Sequence, residues 1–173
     1  MNSDPIFETK RLMIRRLVQA DFSALHSLCS DATVMKYVGN LKPYKEPQSR
    51  QVILKCLRNY EWYGYGGWAL IHKQEEKWAG YGGFEFVRER EIPELFYILF
   101  PSYWGQGIAS EFAAGAVDFG FNSLQMQRIG TSFDPANEAS MKVARKVGFS
   151  YSHEGFDEFK LPTIYYEIAR KQV

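Results

Sequence analysis

The stretch Glu94-Leu95-Phe96-Tyr97-Ile98-Leu99-Phe100-Pro101-Ser102-Tyr103-Trp104-Gly105-Gln106-Gly107-Ile108-Ala109 sets the fold. Residues 94–100 form a strongly apolar run of strand length, the pattern of a strand buried on both faces. Glycines at 105 and 107 let the backbone turn tightly and approach a ligand with no Cβ in the way. Ile108, Ala109, Phe112, Ala113, Ala116 and Phe119 then recur at helical spacing. A helix starting here turns unpaired N–H groups and the positive end of its dipole toward the turn, which suits a phosphate. Gly105, Gln106, Gly107, Ile108 and Ala109 would bind that anion mainly through main-chain amides. The same residues also describe an ordinary tight strand-to-helix turn.

Upstream, residues 10–17 read as a strand with Leu12 and Ile14 on one face. Asp21 opens a helix with Phe22, Leu25, Leu28 and Cys29 on one stripe, and His26 falls beside that stripe on the helix surface. A second helix follows Pro47, with Val52, Ile53, Cys56, Leu57 and Tyr60 inward. Residues 67–72 and 78–87 flank a charged turn and read as a hairpin; glycines at 80, 82 and 83 suggest a bulge or a close backbone approach. Arg88-Glu89-Arg90-Glu91 reads as a solvated tip. Downstream come a strand at 128–133, a helix from Asn137 to Lys146 stopped at Gly148, and strands near 149–152 and 164–169. This alternation argues one α/β domain over residues 1–173 around a mixed sheet.

The chain has 173 residues, 46% hydrophobic and 24% charged, enough for a core without metal or disulfide staples. A formal charge of +1 argues against a broad nucleic-acid footprint. Cys29 and Cys56 belong to no C-x-x-C pair and suit buried thiols in a reducing compartment. Met1-Asn2-Ser3-Asp4-Pro5 lacks a signal-peptide pattern, and no apolar run is long enough to span a membrane. A soluble cytoplasmic protein is the expectation. His26, His72 and His153 are too scattered to suggest a metal cluster, so no metal site is expected. No P-loop, H-E-x-x-H or G-x-S-x-G occurs. Gly105-x-Gly107 could begin a dinucleotide fingerprint, but Ser110 stands where its third glycine belongs and only sixty-six residues follow Gly107. Asn137-Glu138-Ala139-Ser140 alone reads as a helix cap.

Taken together, Pro101, Trp104-Gly105-Gln106-Gly107-Ile108-Ala109-Ser110-Glu111, Arg128-Ile129, Asn137-Glu138-Ala139-Ser140 and Gly148-Phe149 fall in one order. That series resembles the coenzyme-binding half of GNAT-type N-acetyltransferases, specifically the Rim-like ribosomal-protein branch, and Glu8-Thr9-Lys10-Arg11-Leu12-x-Ile14-Arg15 resembles the family's opening strand. The resemblance implies a GNAT-like fold: a strongly twisted mixed sheet, helices on both faces, and two parallel strands, 94–100 and 128–133, that splay apart. It implies acetyl-CoA as co-substrate, with the pantetheine against main chain around Ile98, Leu99 and Phe100, the diphosphate on the amides of Gly105 to Ser110, and Asn137 near the pantetheine. Trp104, where the wider superfamily often has Gln or Arg, matches the Rim-like branch.

The implied acceptor is a primary amine, either a protein N-terminus or a small molecule, attacking directly in a ternary complex. Such an amine must be neutral to attack: at pH 7 a lysine-like amine of pKa about 10.4 is neutral roughly once in two thousand molecules, and an α-amine of pKa about 8 far more often. Glu94 matches the position of a general base in part of the superfamily, with Glu85 and Glu158 as competitors. Many relatives place an acidic tyrosine where this chain has Ala144, whereas Ser140 matches a serine that Rim-type members set near the thioester sulfur. Trp62, Tyr63, Tyr65 and Trp68 read either as core or as part of an acceptor cleft. A non-catalytic acyl-CoA-binding domain is the alternative; it would be expected to lose both Glu94 and Ser140. Partners beyond acetyl-CoA and an amine are not expected, neither nucleic acid nor membrane, and the chain is read as a monomer or homodimer.

Overall fold

The structure, a computed structural model, describes residues 4–87 and 91–171. The charged tip read at 88–91 therefore lies outside the described residues except for Glu91, and the N-terminal segment is described only from Asp4. Among the described residues, eight strands form one sheet in the order β1-β2-β3-β4-β5-β6-β8-β7. In chain order these are β1 (Phe7–Glu8), β2 (Leu12–Arg16), β3 (Gly67–His72), β4 (Lys77–Val87), β5 (Ile92–Leu99), β6 (Arg128–Phe133), β7 (Ser150–Phe156) and β8 (Pro162–Ala169). Of these strands, β5 and β6 are parallel neighbours; every other pairing is antiparallel. Helices α1 (Phe22–Cys29), α2 (Glu46–Tyr63), α3 (Ile108–Asn122) and α4 (Glu138–Val147) complete the mixed α/β fold.

The helices cover both faces, and β4 shows how a strand's alternation sorts them. Tyr81 meets Cys56 of α2, with its hydroxyl 3.2 Å from the Cys56 sulfur. On the opposite face a Cβ at Gly82 would lie 2.7 Å from Phe112 of α3. There Trp68 packs edge-on against Phe7, Phe84 and Phe119. Leu12 and Ile14 are fully buried, as their shared face requires. Both cysteines are buried and free.

Several boundaries differ from the sequence reading. Pro47 is the second residue of its helix, and α2 ends at Gly64 with φ +76°. The opening strand divides into β1 and β2 because the chain hairpins between them, bonding Thr9 N–H to the Leu12 carbonyl at 2.9 Å. His26 is not a free surface residue: its Nδ1 lies 3.0 Å from the hydroxyl of buried Ser49. The expected bulge sits in β4, where Leu70 pairs with Gly80 but Ile71 with Trp78, leaving Ala79 extra. β5 starts at Ile92 and is not buried throughout: Phe96, Tyr97 and Ile98 are half-buried. The reason is that its partner on that side leaves it, which creates the site.

Candidate active site

β5 and β6 share one ladder pair, Glu94 opposite Gly130. Beyond that pair a cavity of about 550 Å³ opens. Its walls are Tyr97, Ile98 and Leu99 of β5, the turn from Tyr103 to Ser110 without Gln106, the start of α4, and part of the 33–38 loop.

Alternation decides which strand atoms face the gap. Phe100 N–H bonds the Ala79 carbonyl at 3.0 Å, so Phe100 and Ile98 turn their main chain toward β4, while Tyr97 and Leu99 turn theirs toward the gap. Of the three expected strand contacts, Leu99 presents main chain, Ile98 contributes to the wall by its side chain, and Phe100 lies off the wall. Tyr97, not singled out from the sequence, belongs to the wall, although the same alternation could have found it. Trp104 Nε1 donates to the Leu99 carbonyl at 2.9 Å, tying the turn to the strand end.

Gly105 and Gly107 have φ of +71° and +76°, which a side chain would strain. The first bond of α3 runs from Glu111 N–H to the Gly107 carbonyl at 3.0 Å. The N–H groups of Ile108, Ala109 and Ser110 therefore have no acceptor within the helix, and all three residues line the cavity. Gln106 points away: its carbonyl accepts from Arg11 Nη1 at 2.9 Å and its side chain donates to the Ser102 carbonyl at 2.5 Å.

That contact belongs to a clamp joining the opening hairpin to the turn. Arg11 Nε donates to Glu111 Oε2 at 2.6 Å, and Glu111 Oε1 accepts from the Arg11 amide at 2.6 Å and the Thr9 hydroxyl at 2.7 Å. Burial acts to raise the Glu111 carboxyl, but the bonds from Thr9 and Arg11 outweigh it and hold the group below the usual carboxylate range. A depressed carboxyl contributes stability above its unfolded pKa and loses it as pH falls through the folded one, so the clamp should loosen only in acid. If the turn holds the acetyl-CoA that the resemblance implies, Arg11→Met should raise its KM about tenfold, the worth of one charged hydrogen bond, with little change in kcat. Equal KM values for variant and parent would show that the turn holds itself.

A second helix N-terminus meets the cavity. Asn137 Oδ1 caps α4 by accepting from Ser140 N–H at 3.2 Å, and Asn137, Ala139 and Ser140 all lie on the wall. Capping and lining the cavity are thus one arrangement. Tyr97 shares that wall, and burial pushes its phenol up to about 12, against a smaller lowering influence of Ser140. Ala144 is buried and supplies no donor. Among the described residues, Lys36 is the one charged side chain on the wall, contributed by a loop that no local sequence signal connects to this site.

The expected carboxylates lie off this wall. Glu94 is buried, and its Oε2 accepts from the Ser132 hydroxyl at 2.9 Å. Ser132 lines a second, smaller cavity of about 120 Å³ with Asp134, Asp157 and Thr163; Tyr37 lines both cavities. Glu85 stands opposite Glu94 in the β4–β5 register but is paired with Lys55 of α2. Glu158 is exposed on the β7–β8 turn; with Glu85 it acts on Tyr44, whose phenol burial raises first and their charges raise further. The aromatic group splits: Trp68 is core, Trp62 is exposed beneath Arg58, and Tyr63 stacks on Tyr65 and Phe86. They form no single cleft.

Comparison with known proteins gives the same architecture. Residues 11–150 match the acetyltransferase (GNAT) domain family. An uncharacterized Bacillus subtilis protein, YkkB, is 30% identical over 155 residues, covering 88% of this chain and 89% of that one. The spermidine N(1)-acetyltransferase of Escherichia coli K12 is 28% identical over 147 residues, covering 84% and 76%. The crystal structure of a GNAT-family acetyltransferase from Bacillus anthracis superposes with a TM-score of 0.80 at 25% identity, covering 94% of this chain and 96% of that one.

Proposed function

This chain belongs to the GNAT family and is an acetyl-CoA-dependent N-acyltransferase, and from that premise we propose that it moves an acetyl group to a primary amine, a protein N-terminus or a small-molecule amine, inside a single domain of the Rim-like branch. The observation that carries the reading is the splay: one ladder pair between β5 and β6, then a cavity faced by the N-termini of α3 and α4. The residues present suit the coenzyme. The amides of Ile108 to Ser110 and the Lys36 charge suit phosphate, and Ile98, Leu99 and Val143 suit an apolar chain.

Bound acetyl-CoA supplies a thioester carbonyl. In this reading the turn from Gly105 to Ser110 binds the diphosphate and Asn137 holds the start of α4 against the pantetheine. The α4 N-terminus and the Ser140 hydroxyl stabilise negative charge where the sulfur departs. Glu94 accepts the proton lost by the amine, with Ser132 keeping its carboxylate in one orientation. The second cavity, with Asp134 and Asp157 in its lining, favours a cationic acceptor arriving from that side.

Isothermal titration with acetyl-CoA, with NAD as the control, tests the coenzyme site; NAD binding in its place would overturn it. Thiol release across peptides with free N-termini, spermidine and simple monoamines then sorts the acceptor class, and release with none of them would refute amine acetylation by this panel's chemistry. Ser140→Ala should lower kcat about tenfold or more while leaving coenzyme affinity within roughly twofold. Unchanged kcat would return Ser140 to capping alone.

A further inference from the structure

Glu94 lies on the wall of neither cavity. It is only 8% exposed, so an amine held in either cavity does not meet its carboxylate directly. Ser132 does line a wall, that of the smaller cavity, and its hydroxyl donates to Glu94 Oε2 at 2.9 Å. Strand geometry accounts for the pairing. Glu94 stands opposite Gly130 at the one rung that β5 and β6 share, and Ser132 follows Gly130 by two residues, on the same face of β6. Asp134 and Asp157 line the same small cavity, which favours a cation beside Ser132.

A serine hydroxyl has one proton to give and lone pairs left to accept. With that proton committed to Glu94, the Ser132 Oγ lone pairs serve a donor in the cavity, and a bond accepted there strengthens the one donated. We propose that Ser132 is a catalytic residue, a relay that takes a proton from the acceptor's ammonium group as it hands its own to Glu94. The inference rests on the function proposed above, in which Glu94 is the base and the acceptor arrives through the smaller cavity.

The protons balance. One N–H proton of the ammonium moves to Ser132 Oγ while the Ser132 proton moves to Glu94 Oε2. Serine ends as a neutral hydroxyl, the carboxylate as a carboxylic acid, and the amine as a neutral nucleophile. Glu94 returns its proton to solvent. The nitrogen forms its bond to the thioester carbonyl carbon, the carbon–sulfur bond breaks, and its electron pair stays on sulfur. The nitrogen then sheds a second proton to solvent, and the thiolate takes one up. Each acetyl transferred from an ammonium thus releases one proton overall.

The test is thiol release by the full chain with acetyl-CoA and the fastest acceptor among spermidine, simple monoamines and peptides with free N-termini. Ser132→Ala should lower kcat/KM by roughly ten- to hundredfold near neutral pH, with the loss shrinking toward the amine's own pKa. Adding Ser132→Ala to Glu94→Gln should cost less than about twofold more, because both substitutions interrupt one path. Ser132→Thr, which keeps the hydroxyl, should stay within about threefold of the parent. Acetyl-CoA affinity should hold in every variant, since Ser132 and Glu94 lie off the coenzyme wall. In mixtures of light and heavy water the parent's kcat/KM should fall along a bowed curve, the sign of more than one proton in motion. A straight line there would reduce Ser132 to orienting Glu94 and overturn the relay, as would full activity in Ser132→Ala or a Ser132→Thr protein as slow as Ser132→Ala. The parent curve and Ser132→Thr decide the matter even if Ser132→Ala folds poorly. Failure of the relay alone leaves Glu94→Gln impaired. A Glu94→Gln protein with the parent's pH profile, or no release with any acceptor, would instead overturn the reading beneath the proposal, and the proposal with it.

Discussion

Glu94→Gln should lower kcat/KM for a lysine-like amine by roughly a hundredfold near neutral pH, within the range found for a positioned general base. The glutamine can still accept the hydrogen bond from Ser132, so that contact is kept while the proton acceptor is removed. The loss should be greatest at low pH, where almost all of the amine is protonated, and should shrink as pH climbs toward the amine's own pKa of about 10.4. For an α-amine of pKa about 8 the penalty should be smaller, since less protonated amine must be overcome. A kcat/KM profile measured with both amines separates the cases; a variant profile parallel to the parent's would remove Glu94 from proton transfer. Glu85→Gln is the matched control. Its carboxylate pairs with Lys55 and is 42% exposed, so losing it should cost little.

Gly80→Ala should destabilise the fold through a single methyl group. An added Cβ would lie 2.2 Å from the Ile98 carbonyl oxygen and 2.7 Å from a Leu99 methyl. The first of these is backbone and cannot rotate away, so relief requires β4 and β5 to separate. A cost of about 3 kcal/mol follows, or a fall in Tm of roughly 6–12 °C. Ile98 and Leu99 also form the cavity wall, so the surviving protein should bind acetyl-CoA more weakly. Gly155→Ala in β7 is the comparison: there the nearest atom is the Tyr165 ring at 3.3 Å, which can yield, and Tm should barely move. Thermal unfolding of both variants decides it, and equal Tm values would refute the close-approach argument.

The strand–turn–helix unit at 94–119 was legible because each part is written locally. An apolar strand, two glycines that reach left-handed φ values, and a stripe at helical spacing need no distant partner to be recognised. The same holds for Asn137 capping α4 and Gly148 ending it at φ +104°. The motif around Thr9 and Arg11 could be matched but not explained. Its partner, Glu111, is 100 residues away from Arg11, and only the folded chain shows that one ion pair joins the two motifs. Phe100 and Gln106 escape a local reading for a related reason: being near a site in sequence does not say whether a carbonyl or side chain faces it. Phe100 bonds back to β4, and Gln106 faces Arg11.

Local periodicity and turn chemistry were thus enough to specify the elements, their order and the anion-suited turn, since those properties depend on neighbours within a few residues. Which groups meet across the cavity was settled only by tertiary packing. Tyr97 and Ser140 line one wall from β5 and α4, Ser132 orients Glu94, and Lys36 joins from the loop after α1, because each meeting joins residues tens of positions apart whose directions depend on how β5 and β6 part. No spacing along a chain encodes that divergence.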